Sequence, residues 1–475
     1  MGEKQGKRDR GRILTEAGLQ KINKAIAEEY RKQGTKRSYE KIAEKSQLNI
    51  NTVEKILKRT GAADRRSIQD LFEAFGVHLE EADHISAKDR ELQIQQPSPL
   101  VPIGDEIRWV GRQAQIAELI QRLRGDCRVL SILGITGIGK TSLAARLIAD
   151  AEIRQQLPEL RYVDFYQDSP QFEVVARRLL AENPASNPQL PQDERALVEA
   201  MVAKLQSRPY LLVIDMLEEV LEADGEGGHR FREQVFAKFL ERALLAESMP
   251  SRIVLTSQDR LPVLAEGRFP QRCCPVPLGG LEESEVRSLF EEWEVRVEDG
   301  EDWQHLQSMA RAYEGHPLAL KVIAGEIRED YRGNIRAYWH DYGNEIEEVE
   351  RLRADSVERS REDKPRIDRH SFRLKDLVKK RVEKTLARLQ RAYPLACLML
   401  CMGATYRRPV ERRAWLLQLA DYSQEEQELA FEILQRRFFL EAEQPGDKNL
   451  YRPHNLIRRA ALDLLPQIEE EVLPQ

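Results

Sequence analysis

Eight consecutive residues constrain this chain more than any other feature. Gly134-Ile135-Thr136-Gly137-Ile138-Gly139-Lys140-Thr141 fits the spacing of two glycines with four residues between them, followed by lysine and a hydroxyl residue. An apolar run, Leu130-Ser131-Ile132-Leu133, precedes it, and Ser142–Ala151 has the pattern of a helix. Strand, loop and helix in that order are what the pattern requires. Glycines let the backbone curl so that successive N–H groups point inward at phosphate oxygens. The helix that follows aims its positive end at the same place. Lys140 supplies a point charge for the β- and γ-phosphates, and Thr141 a hydroxyl for Mg²⁺. The expected nucleotide-contacting set is Gly134, Thr136, Gly137, Ile138, Gly139, Lys140, Thr141 and Ser142, with ATP or ADP and Mg²⁺ as cofactors.

A second acidic element supports the first. Leu211-Leu212-Val213-Ile214-Asp215 is four apolar residues and an acid, as in a buried strand whose C-terminal edge faces a ligand crevice. Asp215 is the expected second metal residue beside Thr141. Hydrolysis also needs a carboxylate that orients water. Met216 follows Asp215 and has no such group, so Glu218 is the candidate. The alternative is that Glu218 and Glu219 are solvated and turnover is very slow, so the sequence supports a slow ATPase at most.

At 475 residues the chain is too long for one core; about 150 residues per domain suggests about three. The apolar fraction is 41% and the charged fraction 32%, which reads as soluble and helix-rich. No apolar run reaches the ~18 residues of a membrane span. The charged N-terminus lacks the apolar core of a signal peptide, and the charges after Gly2 do not fit myristoylation. A cytoplasmic location with reduced thiols at the five cysteines is therefore expected. Cys397 and Cys401, one helical turn apart, read as small core residues rather than half a metal site, since no His or Cys partner lies nearby in sequence.

From Cys127 onward short apolar runs (Val129–Leu133, Tyr162–Tyr166, Tyr210–Ile214, Arg252–Thr256) alternate with helical segments. Such alternation predicts an α/β domain with a parallel sheet covered on both faces. Residues 13–33 show helical spacing, with short helices after Ser38 and after Asn49 and one or two more over 65–84. Pro97, Pro99 and Pro102 mark residues 91–106 as a linker. Residues 281–328 and 377–465 read as helical. The stretch 345–376 is dense in charge with little apolar pattern and reads as a surface segment.

Further motifs fall in a familiar order: Trp109-Val110-Gly111-Arg112 before the loop, Ser251–Ser257 as a later strand, Gly315-His316-Pro317-Leu318, and Arg452-Pro453-His454-Asn455 near the end. Over about residues 105–465 they resemble the NB-ARC and NACHT group of signal-transduction ATPases, the STAND class, of bacterial type. The resemblance implies a multidomain fold: an α-helical head with a helix-turn-helix character (1–90), the linker, a P-loop domain (107–280), a helical lid (281–345), a charged linker (346–376) and a winged-helix domain (377–475). It implies that Val110 and Arg112 lie against the adenine and Thr256 beside the γ-phosphate. Pro317 would pack on the base. His454 would reach the β-phosphate of ADP and lock a closed state. Three residues depart from the pattern. Gln258 follows Thr256-Ser257 where many relatives have an arginine. Asn455 stands where an aspartate is usual, and Met216 after Asp215 is closer to the NACHT style. Relatives usually carry a repeat-built sensor; here that sensor is expected on a partner.

The head is basic. Residues 1–66 hold 18 Lys/Arg against 9 Asp/Glu, a net +9 in a chain of net −6. A polyanionic partner is one implication; a solvated surface on an adaptor for self-association is the other. Ile42-Ala43, Leu48, Val53 and Ile56 resemble the core spacing of a helix-turn-helix. In that reading Asn51, Thr52, Lys55, Lys58 and Arg59 face duplex DNA, the last three mainly through phosphate. Two functions follow: an ATP/ADP switch that oligomerises or recruits partners on nucleotide exchange, or a DNA-binding regulator whose ATPase domain controls DNA occupancy or partner loading.

Overall fold

In the computed structural model, which describes residues 10–14, 16–33, 39–57, 63–80, 83–86, 109–182, 188–224, 228–261, 269–360, 367–406, 408–443 and 449–472, the chain divides into two compact units, Met1–Ser98 and Pro99–Gln475.

The first unit begins with strand β1 (Arg10–Leu14) and the helix Glu16–Gln33. Helices Tyr39–Ser46 and Ile50–Leu57 follow, then β2 (Ala63–Asp64), the helix Arg65–Ala74 and β3 (His84–Ser86). The three strands pair antiparallel in the order β2-β1-β3, so the expectation of a purely helical head is corrected. The helical reading of residues 13–33 fails at its start. Ile13 and Leu14 pair with Ile85 and His84, and Gly11 sits at φ +102°, where a helix does not continue. An apolar run this short cannot distinguish strand from helix by periodicity; pairing decides. The core gathers Ile22, Ile26, Ile42, Val53, Leu71 and Phe72. Between the two short helices Gln47 takes φ +56°, and the Leu48 amide donates to the Ala43 carbonyl at 3.0 Å. A non-glycine residue there supplies the left-handed turn that joins the helices.

The second unit is built on a five-stranded, all-parallel sheet. Its strands are β4 (Val129–Leu133), β5 (Glu159–Asp164), β6 (Tyr210–Asp215), β9 (Arg252–Ser257) and β10 (Cys273–Pro277), in the order β10-β4-β9-β6-β5. A small hairpin, β7 (Leu221–Ala223) and β8 (His229–Phe231), follows β6. Helices cover both faces, and each face has its own core, one around Phe172, Met201 and Phe236 and the other around Leu123, Leu143 and Ile153. The near-continuous apolar strands are what two-sided burial demands. Strand β10 carries two cysteines and two prolines, and its irregular composition hid it from the sequence reading. The order places β9 between β4 and β6, so the end of β9 lies between the phosphate loop and Asp215.

Helices Glu283–Glu292, Gly300–Ala312, Pro317–Asp330 and Ile335–Ser360 follow, then Ile367–Ala392. The reading of 346–376 as a charged surface segment is corrected: 346–360 and 367–376 are helical. Glu and Arg are good helix formers. Ile346 is fully buried and Glu347 pairs with Arg351 at 3.7 Å one turn on. The C-terminal region adds helix Pro394–Gly403, β11 (Val410–Glu411), helices Arg412–Leu416 and Gln424–Arg436, the hairpin β12 (Leu440–Glu443) and β13 (Leu450–Pro453), and helix Asn455–Val472. Its strands pair antiparallel as β11-β13-β12, so the expectation of helix throughout 377–465 is corrected too. Cys397 and Cys401 are fully buried in its core, which also takes in Leu318 and Val322 of the helix Pro317–Asp330. Among the described residues no helix is long and apolar enough to cross a membrane.

Candidate functional site

The phosphate loop leaves the C-terminal end of β4 and enters the helix Lys140–Ala149. Gly137 and Gly139 take φ +82° and +101°, the left-handed region that a residue with a Cβ enters at a cost. A Cβ at Gly137 would also lie 2.8 Å from Leu318 Cδ2 and 3.0 Å from His316 Cε1. The Lys140 ammonium donates to the carbonyls of Gly134 at 2.8 Å and Ile135 at 3.2 Å. Burial pulls its pKa below the usual lysine value, while Glu218 and Asp215 pull it back up. Arg112 braces the loop: its guanidinium donates to the Ile138 carbonyl at 2.9 Å and to the Gly279 carbonyl at 2.8 Å. Ile138 is buried under the loop, Thr136 is half-buried and Ser142 is exposed on the first turn of the helix. Val110 is half-buried two residues before Arg112.

Asp215 is the hub of the crevice and is 2% exposed. Its carboxylate accepts from Thr141 Oγ1 at 3.1 Å and from the Tyr162 hydroxyl at 2.9 Å, and also from Thr256 Oγ1. Thr256 in turn accepts from the Met216 amide at 3.0 Å. Met216 takes φ +61°, which turns the chain so that Glu218 looks back at the loop and Glu219 stays exposed. Glu218 accepts twice from Gln258, from its amide at 3.3 Å and from its side chain at 2.9 Å. Burial raises the Glu218 pKa, and Lys140 opposes that shift. Asp164 ends β5 beside Asp215; burial first, and then Asp215, push its carboxyl up to about 7 against the pull of Arg452. Thr141 and Asp215 are hard oxygen donors that suit Mg²⁺. Among the described residues no three His, Cys, Asp or Glu gather into a metal site.

Two later segments return to this crevice. Pro317 is the first residue of the helix Pro317–Asp330, with His316 as its N-cap. The fully buried His316 ring lies 3.1 Å, through Nε2, from the Thr136 carbonyl. Near the C-terminus, Arg452 reaches Asp164 at 3.9 Å and Glu443 at 2.6 Å. Asn455 Nδ2 lies 3.0 Å from the Met216 sulfur, so two of the three departures from the family pattern touch each other. His454 Nδ1 accepts from the Leu456 amide at 3.2 Å, which leaves the proton on Nε2. Burial holds this imidazole down at about 4; Glu441 opposes that, and Lys321, Arg452 and Lys140 add to it. His454 therefore sits within electrostatic reach of the loop lysine. Sequence reasoning missed Tyr162, Gln258 and His316. Gly-His-Pro at a helix start was the one available signal, since a residue before an N1 proline is a cap.

In the first unit Asn51 and Lys55 are exposed and Thr52 half-buried on the helix Ile50–Leu57, whose Val53, Ile56 and Leu57 face the core. Lys58 and Arg59 lie outside the described residues.

Residues 103–287 match the family model for Novel STAND NTPase 1. An uncharacterised WD repeat-containing protein of Nostoc sp. is 29% identical over 223 residues, which are 45% of this chain and 17% of that protein. A disease resistance protein of Arabidopsis thaliana is 25% identical over 236 residues, 48% of this chain and 26% of its own length. The chain thus spans about a quarter or less of these relatives. A STAND protein with a tetratricopeptide repeat sensor from Pyrococcus horikoshii superposes with TM-score 0.45 at 17% identity, covering 79% of this chain and 46% of that one.

Proposed function

We propose that the chain is an ATP/ADP-dependent signalling switch in which the C-terminal region, read as a winged-helix domain, closes over the phosphate loop through the helical lid. The observation that carries this reading is the return of Arg452, His454 and Asn455 to the crevice of Asp164, Asp215 and Lys140. An ordinary nucleotide hydrolase has no need of such a contact. Lys140 and the loop amides would hold the phosphates, and Thr141 with Asp215 would hold Mg²⁺. Mg²⁺ would neutralise phosphate charge. Exchange of ADP for ATP then separates the C-terminal region from the loop and frees surfaces for self-association or for a separate sensor or effector. The test is the mass of the protein in ADP against a non-hydrolysable ATP analogue. A mass that ignores the nucleotide removes the switch.

Two predictions belong to this reading. His454→Ala removes a donor aimed at the β-phosphate in the closed form only. A charge-assisted bond contributes roughly 1.5–3 kcal/mol, so the ADP Kd is expected to rise about ten- to hundredfold, with a shift toward the larger assembly. Unchanged ADP affinity and mass would exclude the lock. Hydrolysis is expected to be slow, because Met216 follows Asp215 where a water-orienting carboxylate would stand and Glu218 is left to do that work. General-base losses run to about 10²–10⁴-fold, and Glu218→Gln should cost at least the lower figure; turnover at the parent rate would remove Glu218 from the mechanism.

A second reading rests on the first unit. The left-handed turn at Gln47 and the open face carrying Asn51 and Lys55 support a helix-turn-helix that binds duplex DNA. Its signature is a steep fall of affinity with salt. Duplex binding of that kind, with no nucleotide-dependent mass, would favour the DNA-bound regulator.

A further inference from the structure

His316 touches the phosphate loop from outside the loop's own sequence. Its ring makes two bonds. Nδ1 accepts from the Ala319 amide at 3.4 Å and caps the helix Pro317–Asp330. Nε2 lies 3.1 Å from the Thr136 carbonyl. A carbonyl can only accept, so Nε2 carries the proton and the ring is neutral with one donor and one acceptor. Burial supports the same state by holding the ring down at about 3, with the Thr136 bond opposing.

The consequence lies in the peptide that His316 holds. The Thr136–Gly137 peptide is planar and trans, so its C=O and N–H point in opposite directions. Fixing the Thr136 oxygen on the lid side aims the Gly137 N–H into the loop, where a phosphate-binding nest needs its donors. Gly137, at φ +82°, offers little resistance to rotation of that plane. An inverted plane would point a carbonyl oxygen at phosphate. The contact is tight on both sides, because Leu318 and His316 leave no room for a Cβ at Gly137.

We propose that His316 is a positioning residue for phosphate: from the lid, it holds the Thr136 carbonyl so that the Gly137 amide faces the ligand, and thereby couples lid closure to the affinity of the loop for di- and triphosphates. The inference rests on the nucleotide-binding reading. It extends that reading to a residue outside the loop, and it predicts a split by ligand. Adenosine has no phosphate and should not depend on the pin, whereas ADP should.

The two functions of the ring can be separated by substitution. In His316→Asn the side-chain oxygen can stand in for Nδ1 and keep the cap, but nothing reaches Thr136. In His316→Gln the amide can reach Thr136 in place of Nε2 while the cap weakens. Calorimetry with ADP and with adenosine, beside thermal unfolding without ligand, reads both. The Asn variant is expected to melt close to the parent, bind adenosine as the parent does and bind ADP about tenfold more weakly. The Gln variant is expected to melt lower and keep ADP affinity within about threefold. If the Asn variant binds ADP as tightly as the parent, or loses ADP and adenosine in equal measure, the positioning role is overturned. Should the Asn variant not fold, the Gln variant decides by the same ratio of ADP to adenosine affinity. If the parent itself binds no ADP, it is the nucleotide reading that fails.

Discussion

Lys140→Ala is expected to abolish nucleotide binding at ordinary concentrations while the fold persists. Lys140 is 7% exposed, and its ammonium has the loop's own Gly134 and Ile135 carbonyls as partners. Neutral acceptors compensate a buried cation poorly. Glu218 and Asp215 attract it from nearby, so the loop holds a charge that a phosphate would satisfy better than the carbonyls do. Two charge-assisted bonds to β- and γ-oxygens, at roughly 1.5–3 kcal/mol each, put the expected loss at about a hundredfold or more in Kd for ATP; ADP, which has no γ-phosphate, loses the β-oxygen bond, about tenfold or more. The fold should survive because Lys140 begins a helix in which alanine is the best-tolerated residue, and because Leu143, Leu147 and Ile148 continue to anchor that helix in the core. Calorimetry with each nucleotide measures the loss, and circular dichroism checks the fold. Binding equal to the parent would remove the loop from the site.

How much of this was legible in the sequence depends on whether a feature is local. The phosphate loop was, because strand, glycines, lysine and helix are contiguous. Asp215 was as well, since an acid after four apolar residues marks the end of a central strand. Met216 was noticed for what it lacks, but the left-handed turn that brings Glu218 back toward Lys140 was not visible. Tyr162, Gln258 and His316 lie on β5, after β9 and on the lid, and no spacing rule links them to Asp215 or Thr136; strand order and lid packing do. The return of Arg452 and Asn455 to the crevice was expected only through a family resemblance, since no spacing rule links residues so far apart in the chain. At the head, Ile13-Leu14 suited a helix as well as a strand until β3 paired with it. Over 346–376 the density of charge concealed helices whose stability comes from propensity and from a few buried positions such as Ile346.

Glu326→Ala is expected to destabilise the second unit by about 3–5 kcal/mol, the cost of leaving buried charge uncompensated. Glu326 lies on the lid helix and is 1% exposed; Arg381, on the helix Ile367–Ala392, is fully buried. The carboxylate accepts from Arg381, from Arg388 at 2.9 Å and from the Tyr338 hydroxyl at 3.2 Å. Glu345 takes the remaining load, 3.4 Å from Arg381 and 2.7 Å from Arg388. Two acids face two arginines, with Lys384 also on Glu345 at 3.2 Å, and removing Glu326 leaves two guanidiniums and that ammonium facing one partly exposed acid. Further along the same helix Asp330 pairs with buried Arg437, and Gly325 is pressed so closely on the Arg437 carbonyl that a Cβ would lie 2.5 Å from it. The lid helix is thus ionically fastened to the C-terminal region at one end and touches the phosphate loop through His316 at the other. Movement of the C-terminal region should therefore carry the lid helix with it, and the loop contact should be what breaks. Denaturant unfolding measures the first effect. The double variant Glu326→Met with Arg381→Met should recover part of the loss, as apolar replacement of a buried pair often does. A loss below about 1 kcal/mol for Glu326→Ala would mean that water enters the cluster and that the lid helix is not held as described.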